Sequence, residues 1–219
     1  MPELAAVIFD LDGVLTDTAE LHFRAWKQLA DDHDLPFDRD VNEQLRGVSR
    51  DASLRIILGE RTVDDDTFAQ MMETKNATYV ALLSTLGRDD ALPGARALVE
   101  ACRERGLRTA IGSASKNART VLDALDLTDR FDAISDGTTV TAAKPAPDVF
   151  LAAAEQLQVD PGACAVLEDA AAGVDAALAA GMLAVGIGPT ARVGHAHLVY
   201  PRTASVEVDA VLAAAAERS

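Results

Sequence analysis

The chain is poor in several things, and each shortage narrows the reading. Its 219 residues include only two cysteines, Cys102 and Cys164, and these do not form a CxxC pair. That excludes a disulfide scaffold; both are read as small buried side chains without a catalytic role. Aromatic residues make up 4% of the chain while hydrophobic residues reach 49%. The core must therefore be built from Ala, Val, Leu and Ile, packed closely between helices and sheet. No apolar run is long enough to span a bilayer. The N-terminus has no basic stretch followed by a long apolar segment, so no signal peptide is expected and the protein is expected to be cytoplasmic. Basic residues are also scarce, 20 against 35 acidic ones, giving a net charge of −15. Such a field opposes nucleic acid and anionic membranes as partners. An anionic small molecule could bind only through local positive groups, and lysine occurs just four times, at Lys27, Lys75, Lys116 and Lys144.

What is present is an alternation of strands and helices, interrupted once. Apolar residues run from Leu4 to Phe9 and stop at Asp10, which predicts a short buried strand ending in an acid. A helical period follows from Ala19 to about Asp32, with Thr18 as its N-cap. From there to about Arg88 only helical stripes are seen, near Val41–Leu58 and Asp64–Leu86, with Asp64-Asp65-Asp66 opening the second where negative charge suits the helix dipole. From Pro93 onward strands are predicted at Leu107–Gly112, Ala133–Ser135, Cys164–Leu167 and Leu183–Ile187. Helices are predicted at Gly94–Arg105, Lys116–Leu125, Pro147–Leu157, Ala171–Ala180 and Val206–Ala216. Repeated strand–helix units imply a parallel sheet covered on both faces. The expected fold is α/β, a Rossmann-like parallel sheet flanked by helices with an inserted all-helical domain. The core would be 1–16 and 89–219, the insertion 17–88, and the crossings near Thr16–Asp17 and Arg88–Asp89 a two-stranded hinge.

Ligands of such sheets bind beyond the carboxyl ends of the strands. Three strand ends carry chemical groups: Asp10 and Asp12, Ser113 ahead of Ala114-Ser115-Lys116-Asn117, and Glu168-Asp169. A fourth group, Lys144-Pro145, lies in a loop before a helix. Singly, each acid reads as a helix cap or a solvated loop residue. Gathered at one sheet edge, four carboxylates repel one another and hold a proton unless a cation joins them. Hard oxygen ligands suit Mg²⁺, which also accepts phosphate oxygens. A carboxylate such as Asp10 can attack phosphorus, and a second one two residues on, Asp12, can serve the leaving or attacking hydroxyl. Gly13 permits a sharp turn between them and the phosphate. Ser113 can donate to a phosphoryl oxygen or cap a helix. Lys116 and Asn117 read either as ligands of a second phosphate or as first-turn helix surface. His195 and His197 alternate as metal-binding pairs do, but no third ligand is evident, and they are read as exposed loop residues.

Asp10-Leu11-Asp12-Gly13, Ser113, Lys144-Pro145 and Glu168-Asp169, in this order, resemble the four motifs of the haloacid dehalogenase superfamily, and the helical insertion resembles its small helical cap. Further stretches resemble its β-phosphoglucomutase family: Thr16–Glu20, His22–Trp26, Asn42–Arg50, Ser113–Asn117, Ala143–Asp148 and Leu167–Asp169. The resemblance implies a Mg²⁺-dependent phosphosugar mutase, monomeric, acting on sugar phosphates. It implies Asp10 as nucleophile and Asp12 as general acid/base. Mg²⁺ would sit on Asp10, the Asp12 carbonyl and Asp169, with Glu168 close by. Ser113 and Lys144 would steady the phosphoryl group in transfer. Arg50, Ser115, Lys116 and Asn117 would hold a second phosphate. Arg46, Gly47 and Val48 would face the sugar, His22 would bridge toward the cap, and Thr16, Asp17 and Thr18 would form the hinge. Arg46 stands where lysine is expected, and Ala170-Ala171 where polar residues are more usual, so part of the hydrogen bonding behind Asp169 is expected to be missing. A sugar-phosphate phosphatase shares the core motifs and is the main rival. A non-catalytic sugar-phosphate sensor is a third reading.

Overall fold

Alternate residues of the first strand go to opposite faces of the sheet. In the computed structural model, which describes residues 3–45 and 48–218, Val7 and Phe9 of β1 (Ala6–Phe9) join one hydrophobic cluster while Ala6 and Ile8 join another. Four helices follow: α1 (Ala19–Asp32), α2 (Arg39–Glu43), α3 (Arg50–Leu58) and α4 (Asp65–Leu83). The chain then returns through α5 (Ala95–Glu104) to β2 (Arg108–Gly112), α6 (Ala118–Ala124) and β3 (Ala133–Ser135). After α7 (Asp148–Leu157) come β4 (Cys164–Glu168), α8 (Ala171–Ala179) and β5 (Leu183–Ile187). A short α9 (Thr190–Val193), β6 (Leu198–Tyr200) and α10 (Val208–Glu217) complete the element order.

The six strands form one parallel sheet in the order β3-β2-β1-β4-β5-β6. The chain moves outward from β1 in one direction through β2 and β3, then restarts on the other side with β4. The carboxyl end of β1 therefore faces a crevice at the reversal, where open α/β sheets bind ligands. On one face α5, α6 and α10 pack Leu98, Val121 and Val211 against Phe9, Ile111 and Val185. On the other, α7 and α8 bring Phe150, Ala153, Val174 and Ala177 against Ile8, Ala110 and Val166. Small alanines on α7 and α8 keep that layer close to the sheet, as the scarcity of aromatics requires. A third cluster, with Trp26, Leu29, Leu54, Ile57 and Met71, lies within α1, α3 and α4 and gives the helical layer a core of its own. Truncating a buried leucine such as Leu54 costs about 2–5 kcal/mol, a large share of the stability of so small a cluster.

Expectation and structure differ in instructive places. The helical stripe Val41–Leu58 is two helices, because Ser49 caps α3 by accepting the Ala52 N–H at 3.3 Å. Asp64 caps α4 through the Thr67 N–H at 2.7 Å, with Asp65 and Asp66 in the first turn as the dipole favours. Helix α6 begins at Ala118, later than the expected Lys116. The sixth strand was not expected: β6 has three half-buried residues and no buried apolar run to announce it. The two passages between sheet and helical layer run side by side. Thr16 bridges Ala91, its hydroxyl donates to the Asp90 carbonyl at 2.9 Å, and the Leu92 N–H donates to the Leu15 carbonyl at 2.8 Å. Among the described residues no helix is long and apolar enough to cross a membrane.

Candidate active site

The site begins where β1 and β4 end side by side. The Asp10 N–H still donates to the Leu167 carbonyl at 2.9 Å, so the strand register fixes Asp10 beside Glu168 and Asp169. All three acids are buried, and each offers an oxygen within 4.8 Å of the others. Lys144, in the loop before α7, is joined to Pro145 by a cis peptide and lies between them. Its ammonium donates to Asp10 Oδ1 at 2.5 Å and to Glu168 Oε2 at 2.7 Å, and rests 4.7 Å from the Phe150 ring. Burial alone would lower Lys144, but Asp10 and Glu168 outweigh it and hold the lysine above its ordinary value. One ammonium does not balance three carboxylates. Burial and then Asp10 push Glu168 up to about 8, so the cluster either keeps a proton or receives a cation. An oxygen-only donor set of this density fits a hard divalent ion.

Two glycines make room for this density. Gly13 has φ +84°, and a Cβ there would lie 2.3 Å from the Asp169 carboxyl carbon. A Cβ on Gly173, in the first turn of α8, would lie 2.0 Å from that of Glu168. After Asp169 the Ala170 N–H donates to Glu168 Oε1 at 3.0 Å, a backbone bond that any residue but proline could make.

Asp12 stands apart from the three-acid group. Burial, then the Asp10 carboxylate, push it up to about 7, against the pull of the Thr18 hydroxyl, which donates to Asp12 Oδ1. The expectation for Thr18 is corrected here. It occupies the N-cap position of α1 without capping the helix, because its hydroxyl is spent on Asp12. The exposed Asp17 takes over by accepting the Ala19 N–H at 3.0 Å.

After β2 the chain folds into a ladder of short side-chain bonds. The Ser115 N–H donates to Ser113 Oγ at 3.1 Å, and the Asn117 N–H donates to Ser115 Oγ at 3.1 Å. Ser113 is thus not a helix cap: α6 has its N-cap at Asn117, four residues on. The Asn117 amide donates to Asn76 Oδ1 on α4 at 3.0 Å and ties this loop to the helical layer.

That layer supplies the cationic side. A cavity of about 550 Å³ lies between it and the sheet, the size of a small-molecule site. Asp10, Asp12, Ser113, Lys144 and Asp169 line one wall; His22, Val48 and Arg50 line the other, with Ser115, Lys116 and Asn117 at the side. Glu168 lies behind the wall and reaches the site through Lys144. Arg46 and Gly47 lie outside the described residues. Among the lining residues that escaped the sequence reading, Lys75 carries the most chemistry. Lys75 is 2% exposed, with its ammonium 2.9 Å from His22 Nδ1 and 4.7 Å from the Trp26 and Tyr79 rings. Burial, then Arg50, bring Lys75 down to about 7. Burial, then Lys75 and Arg50, hold His22 well below its usual value, and its ring stacks on Tyr79 at 4.1 Å. A signal for Lys75 was present: Met71, Lys75, Tyr79 and Leu83 recur every four residues on the buried face of α4.

Other candidates fall elsewhere. His195 pairs with Asp175 at 3.1 Å, and His197 accepts the Ala184 N–H at 3.0 Å, which stitches the segment before β6 onto β5. Cys102 and Cys164 are buried free thiols that burial pushes up to about 12.

Known proteins resemble this arrangement along most of the chain. Residues 4–181 match the family model of haloacid dehalogenase-like hydrolases. A β-phosphoglucomutase of Bacillus subtilis is 44% identical over 210 residues, covering 94% of this chain and 93% of the relative. A phosphorylated carbohydrates phosphatase of Thermotoga maritima is 32% identical over 184 residues, covering 82% of each chain. Among solved structures, a β-phosphoglucomutase from Clostridium difficile superposes with a TM-score of 0.94 at 37% identity, covering 98% of both chains.

Proposed function

The chain belongs to the haloacid dehalogenase-like hydrolase family, and from that premise we propose that it is a β-phosphoglucomutase, interconverting β-D-glucose 1-phosphate and glucose 6-phosphate. The observation that carries this reading is the two-sided cavity. A buried carboxylate–lysine cluster forms one wall, and further donors line the same cavity outside that cluster, Arg50 on the opposite wall and Lys116 and Asn117 at the side. A hydrolase of small phosphate esters needs one phosphoryl position; a mutase working through a bisphosphate needs two.

In the proposed cycle Asp10 carries a phosphoryl group as an aspartyl phosphate. The 6-hydroxyl of β-glucose 1-phosphate takes that group while Asp12 accepts the hydroxyl proton. The resulting β-glucose 1,6-bisphosphate turns over in the cavity. Asp10 then attacks the 1-phosphoryl group, Asp12 returns the proton to the departing oxygen, and glucose 6-phosphate leaves. An acid held near 7 suits both directions of that proton transfer. Ser113 and Lys144 meet the phosphoryl group in transfer, and Arg50, Ser115, Lys116 and Asn117 the group at rest. Mg²⁺, held by Asp10, the Asp12 carbonyl and Asp169 with Glu168 behind, would neutralise charge on the phosphoryl oxygens.

On this reading residues 17–88 form a cap and 1–16 with 89–219 the catalytic core, joined at Thr16, Asp17 and Thr18. Closure excludes water, which would otherwise hydrolyse the aspartyl phosphate. The antiparallel passages at Thr16 and Ala91, tied by the Thr16 hydroxyl, support that placing of the hinge. The likeness to a carbohydrate phosphatase supports hydrolysis as the second reading. One assay separates them. β-Glucose 1-phosphate, Mg²⁺ and a trace of bisphosphate are supplied, and glucose 6-phosphate is compared with free phosphate. Isomer in large excess over phosphate is expected; phosphate at catalytic rates without isomer overturns the mutase.

A further inference from the structure

Arg192 stands outside the chemistry described so far, yet its guanidinium touches both walls of the site. It projects from α9, just beyond β5, and its side chain is 28% exposed. Its Nε–H donates to the backbone carbonyl of Asp169 at 2.6 Å. One terminal nitrogen lies 3.6 Å from Asp169 Oδ2, and the other donates to Glu43 Oε1 at 3.2 Å. Glu43 is the last residue of α2, in the helical layer. Gly188 clears the path: a Cβ there would lie 2.9 Å from the guanidinium. Asp169 and Glu43 have further partners, so Arg192 shares each of them.

The planar fork of arginine allows this division, since its donors point in fixed, different directions. The bond to the Asp169 carbonyl anchors the group, and the two ends are left to two acids in different layers. The end near Asp169 Oδ2 is a positive charge beside a carboxylate that the proposed function gives to a divalent cation. Arginine and cation compete for that oxygen. The end on Glu43 draws the guanidinium the other way, toward the helical layer.

We propose that Arg192 is a positioning residue that couples the two layers: the more its guanidinium is held by Glu43, the more freely Asp169 serves a divalent cation. By linkage the converse holds, and a cation on Asp169 shifts Arg192 toward Glu43 and strengthens the tie to α2. The inference rests on the metal reading of the site given above.

The test is calorimetric titration of the purified chain with MgCl₂ at low salt, without substrate. Glu43→Gln is expected to weaken Mg²⁺ binding by about three-fold and Arg192→Gln to tighten it by about three-fold, the size of a partly exposed charge contact. The double variant is expected to match Arg192→Gln, because Glu43 acts through Arg192. Glu43→Gln equal to or tighter than wild type overturns the coupling. So does a double variant midway between the singles, which is what independent charges at a distance would give. Should Arg192→Gln fail to fold, Arg192→Lys, which keeps the charge and loses the fork, takes its place in the cycle: Glu43→Gln is then expected to change Mg²⁺ binding less in the lysine background than in wild type, and an equal change overturns the coupling. A wild-type chain that takes up no Mg²⁺ refutes the metal reading itself, a result distinct from unchanged variants of a chain that binds.

Discussion

Lys144 and Lys75 are both buried, 6% and 2% exposed, and their protons are held in opposite ways. Lys144 lies at the sheet edge between two carboxylates that keep it charged. Lys75 lies in the helical layer against a neutral histidine and two aromatic rings, and its pKa falls to about 7. The sheet edge carries its compensating charges whether or not anything is bound. The helical wall gathers Lys75, His22 and Arg50 with no carboxylate among the described residues in bonding contact with Lys75, so its cationic groups are most at ease when an anion enters. An acidic protein with a net charge of −15 thus attracts a phosphate ester through a local device, while its overall field is repulsive.

The comparison can be broken most violently at Lys144. Lys144→Met leaves Asp10 and Glu168 facing each other without their ammonium, and a loss of about 3–5 kcal/mol is expected, together with turnover. The loss should deepen above about pH 8. Lys144 pulls Glu168 down toward about 8, so without the lysine the folded variant holds that proton to higher pH and goes on losing stability where the wild type no longer does. Denaturant melts at a series of pH values read this directly, and a variant as stable as wild type would show that the lysine does not balance the acids. A smaller effect is expected across the cavity. Arg50→Ala should lower kcat/KM for the mutase reaction by about a hundred-fold while slow phosphate release persists, since it removes binding energy from the group at rest. Equal losses in both reactions would move Arg50 out of that role.

The mildest change sharpens the contrast. Lys75→Met should raise KM by about ten-fold, as loss of binding common to ground and transition states does, and raise the melting temperature of the unliganded chain near neutral pH. The folded lysine sits near 7 and the unfolded one at 10.5, so the unfolded chain binds more protons between those values and wild-type stability climbs with pH across that window. Methionine has no such slope. The two melting temperatures should converge as the pH is raised toward about 10; a constant gap would mean that Lys75 is not held neutral by its surroundings, which include His22, Arg50 and Asp12.

The same contrast explains what could be read in the amino-acid order. The sheet edge was legible because each group follows a strand: Asp10 after Ala6–Phe9, Glu168-Asp169 at the end of Cys164–Glu168, Ser113 after Arg108–Gly112. Strand ends in a parallel sheet converge by register, so spacing along the chain translates into proximity. The helical wall has no such rule. Lys75 is placed by the packing of α4 on α1 and by its apolar stripe, which a charged residue disguises. Thr18 was misread as a cap because its rival partner, Asp12, is brought near only by the tight turn at Gly13, whose N–H donates to the Thr16 carbonyl at 2.7 Å. Arg192 was missed for a similar reason. The three-residue edge strand beyond it hid the geometry of that corner.

The account stands or falls on whether Asp10 itself takes the phosphoryl group. The chain would be mixed with glucose 1,6-bisphosphate and Mg²⁺, quenched in acid, treated with borohydride to convert any aspartyl phosphate to homoserine, and its peptides read by mass spectrometry. Homoserine at position 10, and none in the Asp10→Asn variant, is the predicted result. Label at Asp12 or Asp169 instead, or at no aspartate while glucose 6-phosphate still accumulates, would contradict it.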